Sequence, residues 1–459
     1  MRVVLLSGGS GKRLWPMSNE ARSKQFLKVL HDRNGNRVSM LQRIWGQLGD
    51  VGLQVGTYLC ASKAQRDTIE NQIGPVPFIE EPMRRDTFPA IALSILYLAD
   101  VEGCTDEEVV AVLPVDHDVD EQYFRFIQQL DVRLDESGTD LLLMGVTPSA
   151  PVSKFGYIRI GEAYTPQGSM YRVHSFTEKP TKEVAESLIE NGALWNCGVF
   201  CFRIGFLKRA LAELGYPESY QELVTLYPLL PKRSFDYEVV EQTSNVAVAT
   251  FAGKWSDMGT WGTLSEKIRE EFVGLGTSVD CDNTHVINEF GIPVVTMGLK
   301  DAVIVATPDG ILAADKEHAS EIKNVIDDYA TRPMFEERRW GTYRVLDYQK
   351  LSDGTEVLSK HVELHAGKNI SYQKHSKRSE VWTVVQGRGE VVLDSRVIQV
   401  ESGDVIHIHP EQWHAIRSVG AEKLVFIEVQ FGSELSEEDI ARRYVDWEHI
   451  LHHLSILVG

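Results

Sequence analysis

The sequence predicts an α/β fold with a mainly parallel sheet over residues 1–270, then a β-rich connector over 271–335, then an all-β domain over 336–459. Three observations predict it. Short apolar runs alternate with helix-like stretches up to about residue 270. The texture then changes to short runs broken by Gly, Pro and Asp, as in "TMGLKDAVIVATPDGILAAD". From about residue 338 onward, "VLSKHVELHAG", "VWTVVQGRGEVVLD", "DVIHIHP" and "KLVFIEVQ" read as strands separated by Gly-containing turns.

In the first region, strands are expected at 3–6, 57–60, 109–113, 141–145 and 198–202, and helices at 89–99, 182–191 and 204–214. Ligands of such sheets gather at the carboxyl ends of the strands. The glycine loop after Leu6 and Asp116 after "VVAVLP" are both expected there. In the last region nine of the fourteen histidines lie beyond position 360, which makes a metal site worth testing. The tail "SELSEEDIARRYVDW" opens with Ser and acidic residues and predicts a helix start.

Composition is that of an ordinary globular chain, and 459 residues suffice for two or three domains. No apolar run approaches the roughly 18 residues of a membrane span, and "VVLL" is too short for a signal-peptide core. Five scattered cysteines, with no C-x-x-C spacing, point to a reduced cytoplasmic setting. The formal net charge of −19 argues against nucleic acid or an anionic membrane as the main partner. A phosphate substrate would then depend on local cations or a bound metal.

The N-terminal "LLSGGSGKRLWP" combines a glycine turn with cations, the composition of a phosphate site. It fits neither familiar pattern. A Walker loop needs a glycine five positions before Gly11-Lys12, where Leu6 stands, and Ser or Thr where Arg13 stands. The dinucleotide fingerprint needs a third glycine at Leu14. Joining a nucleoside triphosphate to a sugar phosphate would need different parts: a loop for close backbone approach, one or two cations, and carboxylates for Mg²⁺. Gly8, Gly9 and Gly11 supply the loop, Arg13 and Lys24 the charge, and Asp116 and Asp257 the carboxylates.

"GGSGKRLWPMS…SKQF", "EPMRRDTFPAIAL", "VLPVDH", "FTEKP", "ALWNCGVF", "FDYEVVE" and "WSDMGTW" follow in that order. The set resembles bacterial mannose-1-phosphate guanylyltransferase of the long form that carries a C-terminal cupin. The resemblance implies a Rossmann-like nucleotidyltransferase domain that makes GDP-mannose and pyrophosphate from GTP and mannose 1-phosphate with Mg²⁺, in a homo-oligomer, a dimer. It implies that Gly8, Gly9, Gly11 and Arg85 hold the nucleotide, with Arg13 and Lys24 stabilising the leaving pyrophosphate. Asp116 and Asp257 would coordinate Mg²⁺, and Gly156, Tyr157, Glu178, Lys179 and Asn196 would hold the sugar phosphate. Lys12 stands where the family usually has Thr; Asp86 and Phe88 stand where it has Asn and Ala. These departures leave open another base or another sugar 1-phosphate. Trp195 and Trp261 read as core or wall residues, and Lys12, Arg22 and Arg84 as solvated charges.

A cupin (jelly-roll) spaces its ligands as G-x5-H-x-H-x3,4-E-x6-G and G-x5-P-x-G-x2-H. Here Gly367, Gln373, His375, Glu380 and Gly387 keep the first spacing, and Gly403 and His414 the second. Gln373, His375, Glu380 and His414 form a mixed N/O set suited to Zn²⁺ or Mn²⁺. In bifunctional relatives these positions belong to a mannose-6-phosphate isomerase. Ser376, Lys377 and Val381 replace three histidines of that pattern, so a cupin that only steadies a dimer is the alternative. His407, His449, His452 and His453 read as surface or packing residues.

Overall fold

The computed structural model describes residues 1–9, 11–19, 22–164, 169–329 and 332–458. The first region is built on a nine-stranded sheet. In chain order its strands, with two short neighbours, are β1 (Arg2–Leu6), β2 (Thr57–Ser62), β3 (Phe78–Glu81), β4 (Val109–Pro114), β5 (His117–Val119), β6 (Leu141–Val146), β7 (Gly156–Ala163), β8 (Met170–Glu178), β9 (Leu194–Arg203), β10 (Val246–Thr250) and β11 (Trp255–Asp257). The sheet order is β3-β2-β1-β4-β9-β6-β10-β8-β7, while β5 and β11 pair apart as a two-stranded ribbon. Seven of the nine strands point the same way, as a mainly parallel sheet requires; β8 and β9 run against them.

The central strands are continuous apolar runs because both faces of the sheet are covered. The pleat sends alternate residues to opposite cores. Val3, Leu5, Ala111 and Leu113 join the cluster on one face; Val4, Val110 and Val112 join the other. The first face is covered by helices Met40–Asp50 and Lys63–Ile73, each opened by a serine capping box at Ser39 and Ser62. The second is covered by Thr87–Asp100 and Ile204–Glu213. Leu5 and Leu113 are buried to within 1%. Truncating either to Ala would cost roughly 2–5 kcal/mol.

The chain divides into two compact units. The first comprises 1–271, 301–303 and 314–324; the second comprises 272–300, 304–313 and 325–459. Residues 272–315 form short strands, of which Phe272–Val273 pairs in parallel with His285–Asn288 and Gly276–Val279 with Val294–Met297. The second unit also carries two antiparallel sheets, of six and five strands, between Phe335 and Tyr444. Its core is built around Trp382 and Phe426, both buried to within 1%.

The expected helix start at the tail is corrected by the structure. Glu437–Asp439 makes only one 3₁₀ turn, and Ile440–Tyr444 is a strand paired with Tyr372–His375. Capping residues favour a helix only when no sheet edge competes for the same backbone groups. The helix begins later, at Trp447–Val458, where Trp447, Ile450 and Leu454 pack on Tyr372 and Val392.

Candidate active site and candidate metal centre

A cavity of about 680 Å³ opens at the carboxyl ends of β1 and β4. Of the residues expected from sequence, Gly8, Gly9, Asp116, Gly156, Glu178, Asn196 and Asp257 line it.

The glycine loop leaves β1 through Ser7, whose backbone and hydroxyl oxygens accept from Gln25 Nε2 at 3.0 and 2.9 Å. Gln25 belongs to the 3₁₀ turn Lys24–Phe26, so one residue of "SKQF" pins the loop while its neighbour Lys24 serves the site. Gly9 and Gly11 have φ of 101° and 62°. A Cβ on Gly11 would come within 3.0 Å of the Lys24 backbone nitrogen, so this turn admits only glycine. Trp261, fully buried, donates its indole N–H to the Trp15 carbonyl at 3.0 Å and braces the loop from behind.

The ribbon β5–β11 places Asp257 opposite His117, next to Asp116. The Lys24 ammonium lies between the two carboxylates, 2.5 Å from Asp116 Oδ2 and 3.7 Å from Asp257 Oδ1. Burial alone would raise the Asp116 carboxyl, but Lys24 and His117 hold it at about 2. Burial would lower Lys24, yet Asp116 and Asp257 raise it. Two carboxylate side chains side by side, Asp116 and Asp257, match the hard-cation chemistry of Mg²⁺. On the ribbon's other side Asp118, 1% exposed, meets Arg43 and Lys254 at 2.8 Å and Lys267 at 3.5 Å, which fixes β5 in place.

Sequence reasoning missed His117, which lines the cavity beside Asp116. Trp255 Nε1 donates to His117 Nδ1 at 3.2 Å, so the neutral ring carries its hydrogen on Nε2, 3.9 Å from Asp116 Oδ1. Burial pushes this imidazole down, against the pull of Asp116 and Asp257. Its adjacency to Asp116 in "VLPVDH" was the available signal.

At the far end of the cavity Glu178 is buried and its Oε1 lies 2.5 Å from Lys179 Nζ. Asn196 Nδ2 donates to Asp236 Oδ1 at 2.7 Å. Asp236 also lines the cavity, and burial together with Glu178 lifts its carboxyl to about 7. "FDYEVVE" contains this residue without marking it out from its acidic neighbours. Gly156 is required: a Cβ there would sit 2.6 Å from Glu178 Oε2 and 2.6 Å from the Phe176 ring.

Two expected residues are not brought to the cavity. Tyr157 follows Gly156 on a strand and therefore points to the opposite face; it is fully buried and its hydroxyl bonds the Val152 backbone at 3.0 Å. Arg85 turns away, with Nε donating to Met83 Sδ at 3.3 Å and Nη2 to the Pro228 carbonyl. Arg84, expected to be a solvated charge, lines the cavity instead. Gly11, Arg13, Lys24 and Lys179 stand behind or beside the wall and do not line it.

In the second unit His375, Glu380 and His414 converge, each at most 1% exposed. His375 Nδ1 lies 3.0 Å from the Arg378 carbonyl and His414 Nδ1 2.9 Å from that of Gln412. A carbonyl only accepts, so both Nδ1 atoms carry hydrogen and both Nε2 lone pairs face Glu380, at 3.0 and 3.9 Å. Lone pairs opposed to a carboxylate leave buried acceptors without a donor, the arrangement a divalent cation satisfies. Burial drives His414 to about 4, keeping it in the neutral form that ligates. Gln373 lies cross-strand from His414, and its Oε1 accepts from Ser371 Oγ at 3.0 Å. Arg378, Gln430 and Trp382 donate to Glu380 at 3.1, 2.9 and 3.2 Å, fixing it as an outer shell does. Among the described residues this is the one such cluster of His, Cys, Asp and Glu.

Residues 2–271 match the model of the nucleotidyl transferase family. Residues 276–328 match the MannoseP isomerase/GMP-like beta-helix domain, and 330–444 the mannose-6-phosphate isomerase C-terminal family. The chain is 31% identical to the alginate biosynthesis protein AlgA of Pseudomonas aeruginosa, over 96% of both chains. It is 30% identical to the mannose-1-phosphate guanylyltransferase of Escherichia coli, over 96% of this chain and 97% of that one. A solved structure described as mannose-1-phosphate geranyltransferase from Thermus thermophilus superposes with a TM-score of 0.60 at 28% identity, covering 72% of this chain and 98% of that one.

Proposed function

Because the chain belongs to the nucleotidyl transferase family, we propose that it transfers GMP from GTP to mannose 1-phosphate. A phosphate oxygen of the sugar phosphate attacks the α-phosphorus in line. The bond from that phosphorus to the bridging oxygen breaks, and GDP-mannose and pyrophosphate result. The observation that carries this reading is the convergence of Lys24, Asp116 and Asp257 under a glycine loop at one cavity.

Gly8, Gly9 and Gly11 let the backbone approach the phosphates, and Arg13 and Lys24 balance charge on the departing pyrophosphate. Asp116 and Asp257 would hold Mg²⁺, which when bound neutralises phosphate oxygens. Glu178, Asn196 and Asp236 offer acceptors and a donor to sugar hydroxyls, and Lys179 pairs with the sugar phosphate. Incubating the protein with GTP, mannose 1-phosphate and Mg²⁺ tests the reading by pyrophosphate release. A panel of four nucleotides and several sugar 1-phosphates tests the base and the sugar, to which Asp86 and Phe88 are relevant. No pyrophosphate release at micromolar enzyme would sink the proposal.

A second activity is favoured by the opposed Nε2 lone pairs of His375 and His414. In this reading Gln373, His375, Glu380 and His414 hold Zn²⁺ or Mn²⁺, and the cupin interconverts mannose 6-phosphate and fructose 6-phosphate. Metal analysis of the purified chain and a coupled isomerase assay test it separately from the transferase. The domain limits at 270 and 335, a cytoplasmic setting and a dimer belong to the same proposal. Sedimentation equilibrium tests the dimer.

A further inference from the structure

The 3₁₀ segment His318–Asn324 lies beyond the β-rich stretch, outside the residues 2–271 matched as nucleotidyl transferase. It nevertheless belongs to the first compact unit. It packs against the glycine-loop turn Lys12–Leu14 and against Trp261–Ser265. Its last turn carries Lys323. From the other side Lys154 lines the cavity in company with Gly8, Gly9, Asp116 and Asp257.

Burial lowers the Lys154 ammonium from its ordinary value, and Arg13 and Lys323 lower it further, with Asp257 opposing. Arg13 and Lys323 therefore both stand within electrostatic range of Lys154. Among the described residues Arg13, Lys154 and Lys323 make no salt bridge, whereas Lys24 and Lys179 each have a carboxylate within 2.5 Å. The chain carries 66 acidic and 47 basic residues, so carboxylates are plentiful. A trio of mutually repelling cations beside a glycine loop is unfavourable in the empty site and is relieved by a polyanion. Lys323 belongs to the segment packed on the glycine-loop turn, and Lys154 to the segment leading to Gly156.

We propose that Lys154 and Lys323 are two further substrate-binding residues of this site, which with Arg13 take the terminal phosphates of the nucleoside triphosphate and hold the pyrophosphate as it leaves. The proposal rests on the nucleotidyl-transfer reading and extends it to a residue delivered from within the β-rich connector, outside residues 2–271. Recognition is by charge and hydrogen bonding to phosphate oxygens. The mannose moiety and its phosphate are held elsewhere, by the Glu178–Lys179 end.

The test uses the full chain and the variants Lys154→Ala, Lys323→Ala, Lys154→Arg and Lys323→Arg. Forward and reverse kinetics are measured, and binding of inorganic pyrophosphate with Mg²⁺ is titrated calorimetrically as a readout independent of turnover. Each Ala variant is expected to weaken pyrophosphate binding, and to raise KM for pyrophosphate and for GTP, about tenfold. KM for mannose 1-phosphate should stay within twofold, and each Arg variant should recover to within threefold of the parent. Thermal midpoints should not fall in the Ala variants, since neither lysine makes a salt bridge to lose. Pyrophosphate affinity unchanged in both Ala variants, or a change confined to mannose 1-phosphate, would overturn the proposal. An inactive parent chain would instead overturn the transferase reading, so the two failures are distinguishable.

Discussion

Asp236 is a carboxyl group whose ionisation the fold opposes. Burial comes first among the causes, then Glu178 and, more weakly, Asp86; Lys179 pulls the other way, and the sum is about 7 against an ordinary 3.8. An acid raised in the folded state binds a proton that the unfolded chain has released. Stability is thus fully present below pH 4 and is lost as pH rises toward 7. The shift of about 3 units amounts to about 4 kcal/mol in all, of which about 3 kcal/mol falls between pH 5 and 8. Asp236→Asn removes the titration while its amide oxygen still accepts from Asn196. Urea unfolding followed by tryptophan fluorescence at pH 5 and pH 8 measures the effect. The parent chain should lose stability across this interval, and the variant should lose about 3 kcal/mol less. Parallel curves for parent and variant would refute the assignment of a buried, proton-retaining carboxyl at this position.

Lys24→Ala leaves Asp116 and Asp257 facing each other without their cation, and pyrophosphate release should fall by roughly 10²–10³-fold. Gly156→Ala drives a methyl group into Glu178 and Phe176; KM for mannose 1-phosphate should rise about tenfold while KM for GTP holds, as initial-rate kinetics will show. If the cupin cluster binds Zn²⁺, metal at a hundredfold excess over Kd should stabilise the second unit by about 2.7 kcal/mol in thermal melts. His375→Ala should abolish that gain and the bound stoichiometry measured by elemental analysis.

The central strands and the glycine loop were legible because their signals are local. β1 and β4 are apolar runs ending in the residues that face the ligand. The cupin ligands were legible for another reason, since their spacing encodes two strands brought together. Arg84 and Arg85 were not separable in sequence. They are adjacent, chemically alike, and follow the end of β3, where pleat alternation no longer says which side chain faces the cavity. Tyr157 shows the opposite failure: alternation within β7 does decide its direction, and Gly156 takes the cavity side. The strand at Ile440–Tyr444 depends on an edge offered by Tyr372–His375, some 65 residues earlier. No window on the tail alone contains that partner.

The cations of the first unit fall into two electrostatic classes, and the difference follows from what each must do in a chain of net charge −19. Lys24 is buried and paired with both carboxylates before any substrate arrives. Removing its charge would leave two carboxylates facing each other without a cation, so its first effect is to hold Asp116 ionised and both side chains in place. Among the described residues Arg13, Lys154 and Lys323 make no salt bridge, so in the proposed role their attraction for phosphate is not spent on internal partners. Had they been neutralised by neighbouring carboxylates, each would have to break a salt bridge before meeting the triphosphate, and the acidic chain would repel the substrate unopposed. A segment of the β-rich connector that packs on the glycine-loop turn is a physically reasonable source for one of them.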